Sequence, residues 1–256
     1  MKFAQNRHFG RIFDVKRLGL TGELCRRYIK GMAAFFKTIV YFFNEIIYIF
    51  IIKVNQNEGK AMKDSIIKAA KRHGNLLTTA LAVRQGVSKT MLAKYVANDE
   101  LVHVQHGLYA LPGAIIDDML ALHLQNPNVI FSHESALFLN DFAERAPFTH
   151  SVTTRSDKVL PPSVKEQCSC FYVKPEFLKL GLTRRKTTFG NMVPCYDAER
   201  TLCDILKRRR RIADETVVAA IKNYAKLPQK DLFKLYDYAT KLSVISIIKQ
   251  YMEVLI

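Results

Sequence analysis

The stretch over residues 62–112 constrains the fold most, because glycines and capping residues divide it into three short helices. Residues 63–73 place apolar side chains on one face and basic ones on the other, which predicts an amphipathic helix that ends at Gly74. A second helix is predicted to end at Gly86, and a third to follow Ser88, whose hydroxyl can cap it. Two short helices joined by a tight turn that contains glycine indicate a helix-turn-helix.

A β-hairpin is predicted directly after the third helix. Two alternating apolar runs, residues 101–105 and 108–111, flank His106 and Gly107, and Pro112 closes the second run. A helix-turn-helix followed by such a hairpin is typical of a winged helix, which binds DNA or docks another protein. A small helical domain whose positive face only keeps it in solution is the alternative.

The exposed strip of the third helix combines small residues with basic ones, which would allow close approach to a DNA groove. We expect Lys89 and Lys94 to contact phosphates and Thr90 to reach a base edge. The other expected DNA-binding residues lie in the second helix, at the hairpin and in a later basic run: Thr79, Arg84, Ser88, His103, Gln105, His106, Arg208, Arg209, Arg210 and Arg211.

The overall charge favours an anionic partner. Lys and Arg number 39 against 23 Asp and Glu, which gives a formal net charge of +16 and indicates nucleic acid or an anionic membrane surface. The basic run 207–211 is either a solvated helix end or a second contact to the DNA backbone, which Arg184, Arg185 and Lys186 could join.

Three blocks of the chain resemble the AbiEi antitoxins of abortive-infection systems. GVSKTMLAKYVANDELVHVQHGLYALP, residues 86–112, is similar to that family's N-terminal winged helix. Residues 130–142 and 187–206 are similar to its C-terminal domain, and the blocks follow the family's order within residues 62–256.

The resemblance implies a type IV toxin–antitoxin operon in which the protein binds double-stranded DNA at its own promoter and represses it. It also implies that the protein counters a nucleotidyltransferase-like toxin, AbiEii, without a stable complex. Two positions depart from the family: His106 stands where Arg often precedes the wing-tip glycine, and Asn98-Asp99 replace a glycine after the recognition helix.

Residues 113–256 are predicted to form an α+β domain with a helical C-terminus, so the whole chain is expected to be α+β. Short β-rich runs are predicted as strands and polar caps as helix starts. The strands are expected at 151–154, 170–173, 187–189 and 192–196, and the helices at 117–124, 132–140, after Asp197, and from Asp214 and Pro228.

Catalytic residues, metals and cofactors are not expected. Ser132, His133 and Glu134 are adjacent on a predicted helix and point about 100° apart, so capping by Ser132 explains them better than a triad does. No glycine-rich phosphate loop and no set of His and Cys metal ligands is present. A metal-dependent enzyme that uses Asp197, Glu199 and Asp204 stays an alternative.

Residues 1–61 stand apart from the family resemblance. They contain the apolar segment 32–54, in which Lys37, Asn44 and Glu45 would be costly inside a bilayer. Three interpretations stay open: translated upstream DNA with Met62 as the natural start, a membrane segment that tethers a winged-helix regulator, and a genuine helix in solution.

The five cysteines are too few and too irregularly placed for a disulfide scaffold, and no pair has Cys-x-x-Cys spacing, which predicts reduced and mostly buried thiols, as in a cytoplasmic protein.

Overall fold

The computed structural model describes residues 22–255, and its chain divides into two compact units between Lys63 and Asp64. Helix α1 (Gly22–Arg72) runs through this division. In the first unit, Tyr41 and Phe42 of this helix are each about two-thirds exposed. Within the described residues, no helix is long and apolar enough to cross a membrane.

Parts of the expected N-terminal extension lie outside the described residues. These parts are residues 1–21, together with the side chains at 32–34, 36, 52 and 54 of the apolar segment.

Three helices and a small antiparallel sheet open the second unit. The end of α1 is followed by β1 (Leu76–Thr78), α2 (Thr79–Arg84), α3 (Lys89–Ala97), β2 (Val102–Gln105) and β3 (Leu108–Ala110). The strand order is β1-β3-β2. The Thr78 hydroxyl caps α2 and the Ser88 hydroxyl caps α3, each by accepting a backbone N–H three residues on. Strand β1 directly follows the turn after α1; Leu76 and Leu77 are buried in it, and it pairs with β3.

A mixed five-stranded sheet forms the rest of the second unit, with helices packed against it. Its strand order is β6-β5-β4-β8-β7, in which β5–β6 and β4–β8 are parallel and the other two pairs are antiparallel. The strands are β4 (Ile130–Phe131), β5 (His150–Arg155), β6 (Cys168–Val173), β7 (Leu182–Lys186) and β8 (Met192–Tyr196). The helices are α4 (Asp118–Gln125), α5 (His133–Leu139), α6 (Pro162–Gln167), α7 (Ala198–Lys207), α8 (Asp214–Lys226), α9 (Leu232–Lys241) and α10 (Ile245–Leu255).

Two predicted element positions in this part are wrong. The strand expected at 187–189 is a turn, because Thr187 and Asn191 bond across it and β7 ends before it. Helix α9 begins after Asp231 and not at Pro228, since the Asp231 carboxylate accepts the Lys234 N–H and caps the helix.

The two sheets share one hydrophobic core, and the predicted α+β class is confirmed. Leu76 and Leu108 of the small sheet belong to the same buried cluster as Phe131 and Val193 of the large one. Residues 62–112 and residues 113–256 therefore do not have separate hydrophobic cores. Cys168, Cys195 and Cys203 are buried free thiols, as predicted.

Candidate nucleic-acid interface

Helix α3 divides into the two faces that the sequence predicts. Leu92 and Tyr95 are buried, whereas Lys89, Thr90 and Lys94 are exposed, and alanines complete the exposed strip. None of these three exposed side chains makes an ion pair or a hydrogen bond with the described residues. We call Lys89, Thr90 and Lys94 with the intervening alanines the α3 strip; its charges are available to an external anion.

The start of α2 is tied to the tip of the hairpin. The backbone N–H of Thr79 donates to the carbonyl oxygen of Gly107 at 2.9 Å, and the Thr79 hydroxyl approaches the same oxygen at 3.4 Å. The Thr79 side chain therefore holds the hairpin against α2. Arg84, in the last turn of α2, is exposed.

The hairpin is also held from the side of α4. Gln105 donates its side-chain amide to Gln125 at 2.6 Å, and Gln125 donates to the carbonyl oxygen of His106 at 3.0 Å. The His103 ring meets the Tyr109 ring edge-on, with centroids 5.4 Å apart. Gln105 is thus occupied inside the protein while the His106 side chain is exposed. No local pattern in the sequence points to Gln125, because its partners lie about twenty residues earlier.

The basic run after α7 is a separate feature. Arg209–Arg211 form a 3₁₀ turn, so the helix ends earlier than the run suggests. Arg210 and Arg211 are exposed, whereas Arg208 is half-buried and Arg209 donates to the Leu206 carbonyl oxygen at 3.3 Å. Across residues 22–255, no hydrogen bond or ion pair joins this run to the α3 strip.

Two of the basic side chains of strand β7 make hydrogen bonds within the protein. Arg185 donates to the Asn140 side chain and Arg184 to the Met192 carbonyl oxygen, each at 2.9 Å. Arg184 also contributes, after burial, to lowering the pKa of His123.

The three carboxylates considered for a metal do not converge. Asp204 accepts from the Arg200 guanidinium at 3.0 Å, and Lys234 lies 2.9 Å from Asp197 and 3.4 Å from Glu199. Burial raises the pKa of Asp204, and the charge of Arg200 opposes that rise. No group of three or more His, Cys, Asp or Glu among the described residues could hold a metal ion.

The ion pairs of Lys234 join α9 to α7, whereas Arg200 and Asp204 pair within α7. Asp197 accepts the Arg200 N–H and caps α7, as predicted. Arg200 also donates to the carbonyl oxygens of Phe177 and Leu180, and its guanidinium lies 4.4 Å from the centre of the Tyr196 ring.

Ser132 occupies the expected capping position, but its hydroxyl does not cap α5. It accepts from the Thr153 hydroxyl at 2.7 Å and lies 3.0 Å from Nδ1 of His133. The expectation that adjacent side chains diverge fails here because His133 has a φ of 47°, in the left-handed region. Ser132 is fully buried, and its hydroxyl contacts the Thr153 hydroxyl and the His133 ring.

Asp117, at the start of α4, is hydrogen-bonded to the turn between β7 and β8 of the large sheet. Its carboxylate accepts from the Thr187 hydroxyl at 2.5 Å, from the Asn191 amide at 2.8 Å and from the Leu120 N–H. Gly74, with a φ of +62°, packs so closely that an added Cβ would lie 2.7–2.9 Å from Leu120 and Asn191. This junction fixes the base of the three-helix region.

Comparison with known proteins identifies a structural neighbour. No protein-family model and no curated protein matches the chain. Among solved structures, the crystal structure of the RV2827C protein from Mycobacterium tuberculosis is similar, with a TM-score of 0.51 and 16% identity. The similarity covers 70% of this chain and 71% of that chain, and at this identity it shows a shared fold.

Proposed function

We propose that this chain is a DNA-binding antitoxin of the AbiEi type that represses its own operon. In this proposal residues 62–112 act as a winged helix, with α3 as the recognition helix and the β2–β3 hairpin as the wing. The order of three helices and an antiparallel β1-β3-β2 sheet supports this assignment.

The α3 strip is the observation that carries the proposal. Two lysines that have no ion-pair partner among the residues described by the structure flank a threonine and small residues on one exposed face. Lysines in this setting can neutralise phosphates, and small residues allow the helix to approach base edges. The wing tip lies against the start of α2 through Thr79, which would present both elements to one duplex.

The antitoxin part of the proposal rests on the sequence resemblance. Residues 130–142 and 187–206, which resemble the AbiEi C-terminal domain, contribute α5, β8 and α7 to the large sheet and its helical layer. The proposed toxin is a nucleotidyltransferase of the AbiEii class, countered without a stable complex.

Binding of the full chain to DNA tests the repressor function. Its affinity for the duplex upstream of its own coding sequence would be measured by fluorescence anisotropy at about 50 and about 200 mM salt, against scrambled DNA. We expect a preference for the upstream duplex of about a thousandfold or more. Equal, weak and salt-sensitive affinity for both duplexes would contradict specific repression.

A growth assay tests the antitoxin function separately. Expression of the neighbouring toxin gene should arrest growth, and co-expression of this chain should restore it. Restored growth without co-purification of the two proteins is the expected result. Growth that stays arrested would contradict the antitoxin function and leave the DNA-binding result standing.

A further inference from the structure

His133 borders a small cavity that lies outside the proposed α3 interface. The cavity measures about 80 Å³ and is lined on its basic side by Arg200, Lys207 and Arg208. His133 is 5% exposed, and its ring stacks on Phe171 with centroids 3.5 Å apart. The ring is therefore held in one plane, in spite of its left-handed backbone.

Two hydroxyls determine which ring nitrogen carries the proton. The Thr153 hydroxyl donates to the Ser132 oxygen, so the proton of Ser132 is available to His133 Nδ1, 3.0 Å away. With Nδ1 as acceptor, a neutral ring carries its proton on Nε2. Burial, with the charges of Arg208 and Arg200, lowers the pKa of His133 to about 3, so the ring is neutral at pH 7.

Nε2 is the ring atom left for the cavity. It makes no hydrogen bond to any described residue, although the side chain is more than nine-tenths buried. An N–H on a side chain that is so little exposed has few possible acceptors, and the cavity that His133 lines is the space that can hold one.

The charges around the cavity favour an anionic acceptor. Arg200 is neutralised by Asp204, which also lines the cavity, and the Lys207 ammonium donates to the Leu242 carbonyl oxygen at 2.9 Å. The half-buried Arg208 guanidinium has no hydrogen-bond partner in the described part of the chain. Three cations against one carboxylate leave an excess of two positive charges.

The geometry points to a phosphoryl-binding pocket in which His133 Nε2 and the Arg208 guanidinium donate to the phosphate oxygens. The cavity is large enough for a tetrahedral oxyanion and too small for a nucleoside. The phosphoryl group is either free, as inorganic phosphate or the end of a nucleotide, or part of a DNA backbone. The pocket binds without forming or breaking a covalent bond.

Calorimetric titration of the full chain with inorganic phosphate, at pH 7 and constant ionic strength, tests the pocket without DNA. We expect saturable binding that is weakened about tenfold or more in Arg208→Ala and in His133→Asn, since each removes one donor to a charged acceptor. Asn is the chosen replacement because it tolerates a left-handed backbone. Arg145→Ala, which removes an exposed arginine outside the basic run, should stay within about twofold of the unchanged protein.

Two results would overturn the pocket: no saturable heat with the unchanged chain, or equal weakening in Arg208→Ala and Arg145→Ala. If His133→Asn unfolds, as a thermal scan would reveal, the Arg208→Ala and Arg145→Ala pair still decides the matter. Failure here would leave the DNA-binding proposal untouched, because no duplex is present.

If the unchanged chain binds phosphate, a second set of binding measurements identifies the source of the phosphoryl group. If Arg208→Ala also weakens duplex binding and phosphate competes with the duplex, the DNA backbone occupies the pocket. If duplex affinity is unchanged while a nucleoside 5′-monophosphate binds, the ligand is a free phosphoryl group. Either result supports the pocket.

Discussion

The α3 strip and the charged cluster at α7 both contain basic side chains, but in opposite environments. We call the buried or paired charges Asp197, Glu199, Arg200, Asp204 and Lys234 the α7 cluster. Lys89 and Lys94 of α3 are exposed and have no ion-pair partner among the described residues. On α7, Arg200 is 1% exposed and is paired with Asp204. A charged side chain with buried partners holds the fold together, whereas one without partners can bind a ligand. Tertiary contacts, and not residue type, separate the two roles.

The largest expected effect lies in the α7 cluster. Asp204→Ala should lower the free energy of unfolding by about 3–5 kcal/mol, because it leaves the buried Arg200 guanidinium without its carboxylate. Chemical denaturation followed by circular dichroism measures this change. DNA affinity of the fraction that remains folded should stay the same.

Asp237→Ala is the matched control. Asp237 forms an ion pair with Lys241 at the same spacing of four residues, but both side chains are about half exposed. Its loss should cost about 0.3–0.5 kcal/mol. Equal losses in the two variants would show that burial does not distinguish the α7 pair.

Acid should destabilise the region around His133. Its pKa is about 3 in the folded chain and about 6.5 when unfolded, so the unfolded state binds more protons between these values. The stability that the neutral ring provides is complete above pH 6.5 and is lost as the pH falls toward 3. We expect a loss of about 3 kcal/mol between pH 7 and pH 4.

Denaturation at several pH values, compared between the unchanged chain and His133→Asn, isolates this effect. The pKa values of His123 and His150 are also lowered, chiefly by burial, so they act in the same direction in both proteins. Parallel pH profiles for the two proteins would refute the assignment to His133.

A substitution at Gly74 tests the junction between the three-helix region and the large sheet, where Gly74 packs against Leu120 and Asn191. Gly74→Ala should be more destabilising than Gly113→Ala by about 1–3 kcal/mol, since both glycines have positive φ but only the Cβ at 74 would collide with its surroundings. Because an alanine at either site must adopt a left-handed backbone, the difference between the two losses of unfolding free energy reports the collision of the Cβ at residue 74. If the two losses are equal, Leu120 and Asn191 yield to the added methyl and the junction is loose.

The sequence predicted the α3 strip well and the α7 cluster poorly. The faces of α3 follow from a local helical period and a serine cap, both of which depend on neighbours within four residues. Arg200 meets Phe177 and Leu180, and Lys234 meets Asp197, across distances in sequence that no local pattern encodes. The contact between Ser132 and His133 was missed because helical geometry was assumed at a residue whose φ is positive.

On the α3 strip the expected effect is on binding alone and not on stability. Lys89→Ala with Lys94→Ala should weaken duplex binding about tenfold, or about 1.4 kcal/mol, and should reduce the slope of log affinity against log salt by about 1.8, as two lost phosphate contacts require. Lys165→Ala with Lys222→Ala removes the same charge from exposed positions on α6 and α8. If this control pair lowers affinity and slope as much, the net charge of the chain drives binding and α3 has no special part in it. If only the α3 pair does so, while both double variants unfold like the unchanged chain, the exposed lysines are ligand contacts and the buried charges of α7 are structural.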